Sequence, residues 1–101
     1  ASARAVRILL AERPADAPYK LNLGTTPGSD IESTNGRVAA EVFAAVNTSN
    51  NRKLAKDIAK VRATAADAKY VFFMCPGISQ GRQGELETTS EIKIWSVGPK
   101  P

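Results

Sequence analysis

PGSDIESTNGRVAAEVFAAVNTSNNRKLAKDIAKV, residues 27–61, is the stretch on which the fold turns. It sets Asp30 in a turn that runs into a strand, Glu41 inside an apolar segment, and a lysine-rich segment directly behind both. Asn35-Gly36 lies between the two acids and is a strong hairpin signal, because both residue types tolerate positive φ. Eleven residues separate Asp30 from Glu41, and a hairpin between them brings the carboxylates to the same end of an antiparallel pair. Two carboxylates on neighbouring strands suit a hard divalent cation, and a basic helix beside them suits a phosphate.

Working outward, residues 37–46 form a largely apolar third strand. Its alanines leave a helix as the rival reading, but the preceding Asn-Gly and the Val38, Val42, Phe43 content favour a buried strand. Residues 30–33 give the second strand. Residues 19–23 give a first, with Tyr19, Leu21 and Leu23 alternating onto one face before a turn at 24–28 that contains Pro27. Residues 1–13 read as an amphipathic helix ended by Pro14, and its abrupt start points to a longer parent chain. Behind the third strand, the polar residues 47–51 cap a helix over 52–68. Leu54, Ile58, Val61 and Ala65 make its buried stripe, and Lys53, Lys56, Lys60 and Thr64 a flanking one. KYVFFMC (69–75), bounded by Pro76-Gly77, suits a central strand covered on both faces. Residues 78–90 are polar and glycine-bearing and read as a loop, and residues 91–97 alternate as a last strand. The expectation is an α/β domain of order αβββαββ, a mixed sheet of about five strands flanked by two helices, with 1–101 as a single domain.

The composition fits such a domain: 101 residues, 43% hydrophobic and 24% charged, enough for one core and too few for two. No apolar run is long enough to span a bilayer, and the first ten residues carry Arg4 and Arg7, unlike a secretory leader. A cytoplasmic protein is the expectation. The chain has no histidine and a single cysteine, Cys75. Zinc hydrolases and Ser/His or Cys/His triads are thereby excluded, as is an intramolecular disulfide. The net charge of +4 is small, but it is clustered: Arg52, Lys53, Lys56, Lys60 and Arg62 face only Asp57 over eleven residues, the local footprint expected where phosphates approach. The bland alternative is a solvated face of good helix formers.

Among single residues, Glu41 is the sharpest oddity, because a glutamate inside VAAEVFAAV is rarely buried unless it is paired or bound to metal; otherwise it faces water from an edge. Asp30 sits in Gly28-Ser29-Asp30, which is also ordinary turn composition. Glu32 shares the Asp30 face of a regular strand and is a further candidate ligand, and Glu12 ends the first helix, where it reads as a solvent-facing terminus, with an approach to a metal site as the alternative. Glu91-Ile92-Lys93 reads as the outward face of an edge strand. Cys75 reads as core packing, Trp95 as a core edge or a base-stacking surface, and residues 81–84 as a loop able to meet a substrate.

The order of elements, Asp30 in PGSDIE, Glu41 in VAAEVF and the helix behind them together resemble the restriction-endonuclease-like, PD-(D/E)XK nuclease superfamily, over nearly the whole chain. The resemblance implies a restriction-endonuclease-like core in which Asp30 and Glu41 bind Mg²⁺ (or Mn²⁺) and a water attacks a phosphodiester in line. The lysine that follows the motif glutamate by two residues in that family is absent, its place taken by Phe43. Some members supply the cation from the following helix, which makes Lys53 the expected transition-state cation, with Lys56 second. Arg52, Lys56 and Lys60 are then the expected nucleic-acid contacts, with DNA favoured over RNA. A homodimer, or a place within a larger multidomain chain, accords with this class. The alternative is a catalytically inactive nuclease-like domain that binds nucleic acid or a protein partner, which Phe43 favours. A third reading is an unrelated α/β interaction domain whose basic helix meets an acidic protein.

Overall fold

The computed structural model describes residues 2–22, 28–44, 51–87 and 91–98. Leu23 of the expected first strand, the turn around Pro27, the end of the third strand at 45–46 and the capping residues 47–50 lie outside the described residues. Helix α1 (Ser2–Glu12) leads through a 3₁₀ turn, Pro14–Asp16, into strands β1 (Tyr19–Leu21), β2 (Ile31–Ser33) and β3 (Val38–Ala44). Helix α2 (Asn51–Arg62) follows, then β4 (Ala68–Met74), β5 (Gly81–Arg82), a second 3₁₀ turn at Gly84–Leu86, and β6 (Ile92–Ser96). The strands form one mixed sheet in the spatial order β1-β2-β3-β4-β6-β5. β1, β2 and β3 run antiparallel, β3, β4 and β6 run parallel, and β5 returns antiparallel to β6.

This is the expected α/β class, with a mixed sheet and two helices. The sixth strand arises in residues 78–90, read from sequence as plain loop. Gly81 and Arg82 pair with Ser96 and Trp95 of β6, and Glu87 ties the segment down. Its carboxylate takes the Arg82 guanidinium on both oxygens at 2.8 Å and the Ile94 N–H at 3.0 Å. β6 is therefore interior, and Lys93 does not lie on an edge strand as expected. A strand of two residues is too short to leave a periodic signature, which is why the sequence hid it.

The hairpin between β2 and β3 forms as expected, by different chemistry. Only Gly36 adopts positive φ (76°). Asn35 works through its side chain, whose Oδ1 accepts from Ser33 Oγ at 2.6 Å and from the Arg37 N–H at 3.0 Å. The loop is residues 34–37, built around an asparagine turn rather than a two-residue primed turn.

β3 and β4 pair along their whole length, from Val38↔Ala68 to Ala44↔Met74. Parallel neighbours need a crossover, and α2 supplies it. Its end at Arg62, short of the expected residue 68, follows from that register. Twelve residues of helix span roughly 18 Å, enough to return along seven-residue β3, roughly 23 Å long. The remaining residues turn the chain: Thr64 Oγ1 donates to the Val61 carbonyl at 2.8 Å, and the Asp67 and Ala68 N–H groups both donate to the Arg37 carbonyl at 2.9 Å.

Each helix covers one face. Ala5, Ile8 and Leu9 of α1 pack on Ile31, Val38 and Phe72, while Val61 of α2 joins Ala39, Phe43, Val71, Phe73 and Ile94 on the other face. Alternation along β3 therefore sends Ala40 towards α1 and Ala39, Glu41 and Phe43 towards α2. Among the described residues no helix is long and apolar enough to cross a membrane.

Phe72 is fully buried at the sheet centre, so Phe72→Ala is expected to lower unfolding free energy by about 3–5 kcal/mol in urea titration. Leu21→Ala, at a position 44% exposed on the outer strand, should change it by less than about 0.5 kcal/mol. Equal effects would contradict this assignment of the core.

Candidate functional site

The β2–β3 register pairs Ile31 with Ala40, so the next position along sets Asp30 opposite Glu41, with both side chains on the α2 face. The two acids interlock. The Asp30 N–H donates to Glu41 Oε2 at 3.1 Å, and the Val42 N–H donates to Asp30 Oδ2 at 2.9 Å. Each carboxylate thus satisfies a main-chain N–H on the other strand, which holds both side chains at the end of the hairpin without a flexible tether.

Glu41 is only 2% exposed, and its other oxygen, Oε1, lies 2.9 Å from Lys60 Nζ. Burial among apolar neighbours raises the Glu41 carboxyl above its usual range; the Lys60 ammonium and the Asp30 N–H pull it back, and the Asp30 charge pushes it up again. Lys60 is in turn raised above the ordinary lysine value, chiefly by its bond to Glu41, with the Asp30 and Asp57 charges adding to the effect. Its side chain remains 53% exposed, so the ammonium sits at the rim of the site with the carboxylate beneath it.

Lys53, the expected transition-state cation, is engaged elsewhere. Its Nζ pairs with Asp57 Oδ1 at 3.3 Å and stands 6.0 Å from the centre of the Phe43 ring. The reason is directional. α2 runs back over β3, so its first turn covers the end of the strand, at Phe43, and its third turn covers the middle, at Glu41. The sequence placed Lys60 on the phosphate-facing ridge; the fold sets it on the acid. Arg52 and Lys56 are exposed on α2 as expected. Asp57, by contrast, is 3% exposed and turned inward, a residue to which the sequence reading gave no role. The signal was present in spacing alone: Asp57 follows Lys53 by four and precedes Lys60 by three, so all three share one stripe.

The secondary candidates separate by face. Glu32 lies on the α2 side, where its Oε1 accepts from the Ser29 N–H at 2.9 Å and Asn22 Nδ2 at 3.0 Å, closing the turn ahead of Asp30. Gly28 adopts φ 122°, a conformation strained for any other residue, and a Cβ there would also push the Glu32 carboxylate from its place. A cavity of about 250 Å³ opens beside Glu32 and Ala39, closed by Thr64 and Ala66 at the foot of α2. Glu12 is on the opposite side of the sheet, where it accepts from Tyr70 Oη at 3.2 Å and Lys93 Nζ at 3.3 Å, and so does not approach Asp30 or Glu41. Cys75 is buried in the core on the α2 side. Trp95 is half-buried on the α1 side.

Among the described residues no three His, Cys, Asp or Glu side chains converge as a metal-holding group. The side chains that could supply donors to a cation are those of Asp30 and Glu41. Their hard oxygens fit Mg²⁺ or Mn²⁺, which keep several waters and need only one or two protein carboxylates. The fit carries one condition: Glu41 Oε1 is held by Lys60, so a metal ion on that oxygen would bring a second positive charge against the ammonium. No family model, curated protein or solved structure matches the chain.

Glu41→Gln keeps the shape of the side chain and an acceptor for the Asp30 N–H while removing a charge whose burial opposes folding. Because the folded-state pKa is raised, the advantage of protonation is complete below the ordinary glutamate value of 4.5 and is lost as pH rises through the raised value. Above that window the Gln variant is expected to equal or exceed the unsubstituted chain in urea denaturation. A loss of more than about 2 kcal/mol at neutral pH would instead make the Lys60 pair the dominant effect.

Proposed function

We propose that this domain hydrolyses phosphodiester bonds of nucleic acid, DNA in preference to RNA, with a divalent cation held by Asp30 and Glu41, as in the restriction-endonuclease-like nucleases that the sequence resembles. The observation that carries the reading is the interlocked pair of half-buried Asp30 and buried Glu41, with a lysine ammonium 2.9 Å from Glu41. The strand order supports it: three antiparallel strands deliver the acids, and a crossover helix into a parallel strand delivers the lysine.

The roles follow from position. Asp30 and Glu41 would hold Mg²⁺ or Mn²⁺, which supplies charge neutralisation and a polarised water when bound. Lys60, on the rim, takes the place of the missing strand lysine: its ammonium faces the non-bridging oxygens on which charge accumulates. Lys53 steadies the helix stripe through Asp57 and covers Phe43. Arg52 and Lys56 meet phosphates flanking the scissile one and give affinity without sequence preference. The second reading, a binding domain without chemistry, is favoured by Phe43 and by the engagement of both Glu41 oxygens.

Plasmid nicking in Mg²⁺ or Mn²⁺ tests the proposal. Asp30→Asn and Glu41→Gln should each abolish it, and Lys60→Met should lower turnover by about 10²-fold or more while leaving DNA affinity within a few-fold. Arg52→Ala with Lys56→Ala should weaken binding and flatten its salt dependence by about one unit of slope for each phosphate no longer neutralised. Nicking unchanged in both carboxylate variants would end the proposal. Salt-dependent DNA binding with no nicking by any form would leave the second reading.

A further inference from the structure

The metal condition at Glu41 raises the question of where Lys60 goes, and α2 holds an answer. Asp57 is 3% exposed and uses only one of its carboxylate oxygens: Oδ1 takes Lys53 at 3.3 Å, while Oδ2, also shut off from solvent, has no hydrogen-bond partner. A buried carboxylate oxygen without a donor is unfavourable and uncommon in a folded protein. Asp57 stands one helical turn before Lys60, and side chains three apart on a helix are neighbours. An ammonium carries three donors on a flexible stem, so Lys60 can change acceptors without moving the helix.

We infer that Asp57 is the positioning residue of the site: when a divalent cation takes Glu41 Oε1, the displaced Lys60 ammonium docks on Asp57 Oδ2. The inference rests on the proposed cation site and deepens it. In the metal-free protein, Lys60 lies 2.9 Å from Glu41 Oε1, the oxygen a metal ion would take. Once a metal ion arrives, its charge repels the ammonium, and a lysine with no second acceptor would swing into solvent. Asp57 keeps it against the helix beside the site instead, and gains the donor its own oxygen lacks. Lys53 supports the exchange by holding Oδ1, which leaves Oδ2 as the acceptor on offer. The Asp57 charge is already felt at Lys60 before any exchange, as one of the influences that raise the lysine above its ordinary value.

Calorimetric titration of Mn²⁺ into the unsubstituted chain, Asp57→Asn, Lys60→Gln and the double variant separates these claims. With Lys60 present, Asp57→Asn should weaken Mn²⁺ binding by roughly tenfold, the size of coupling expected between charges in direct contact. Lys60→Gln should tighten it, since nothing need be displaced, and in that background Asp57→Asn should change affinity by less than about threefold, the residue of long-range attraction. Equal weakening in both backgrounds would overturn the exchange and leave the cation site standing. No Mn²⁺ binding by any form, Lys60→Gln included, would overturn the cation site and the exchange with it. Should the Asp57 variants fail to fold, the ¹⁵N ammonium resonance of Lys60 in the unsubstituted chain gives the answer. On Mg²⁺ addition it should shift yet remain protected from solvent exchange, and its loss to rapid exchange would overturn the inference.

Discussion

A glutamate in the middle of a parallel strand is the constraint around which this molecule is arranged. β3 is buried along most of its length because parallel strands carry crossover helices on their faces, and Glu41 stands among apolar neighbours with almost no access to water. Such a charge is tolerated only if hydrogen bonds and an opposite charge meet it. Here the Asp30 N–H meets one oxygen and the Lys60 ammonium the other. The first fixes where β2 must begin, and the second fixes which turn of α2 must lie over the strand centre.

The two faces of the sheet divide the work. On the α1 face the polar groups close on one another at the helix end. Glu12 is shared by Tyr70 and Lys93, Arg13 pairs with Asp16 at 2.7 Å, and Tyr19 Oη donates to the Arg13 carbonyl at 2.8 Å. Asp16 also receives Asn35 Nδ2 at 3.0 Å, which fastens the β2–β3 loop to the segment after α1, and these two donors hold the Asp16 carboxyl below the usual range. That network is saturated and structural. On the α2 face one buried carboxylate oxygen, of Asp57, is left without a donor and a lysine bridges helix to strand across the site, while on the α1 side the buried Trp95 Nε1 is without an acceptor.

Much of this was legible in residue order. The stripe of Leu54, Ile58 and Val61 gave the helix, the run at 69–75 gave the covered strand, and the spacing of Asp30 and Glu41 about a turn gave their juxtaposition. The parts that stayed hidden share a cause: each depends on contacts between segments distant in the chain. Where α2 ends is set by the register of β3 on β4, so helix propensity through Ala68 was overridden. β5 exists because Glu87 clamps Arg82 against β6. Which lysine lies against Glu41 depends on the direction in which α2 crosses β3, which no periodicity on the helix alone reveals. Asp57 looked like one acid among lysines; its burial is what marks it.

Asp30 and Glu41 must act as one donor set for the site to work as proposed, and a Mg²⁺ titration followed by ¹³C NMR on their side-chain carboxyl carbons tests this most directly. Both resonances should move together along a single saturating curve, while the carboxyl of Glu12, on the far face, stays still. Resonances of Asp30 and Glu41 that do not move, or that follow separate curves, would contradict it.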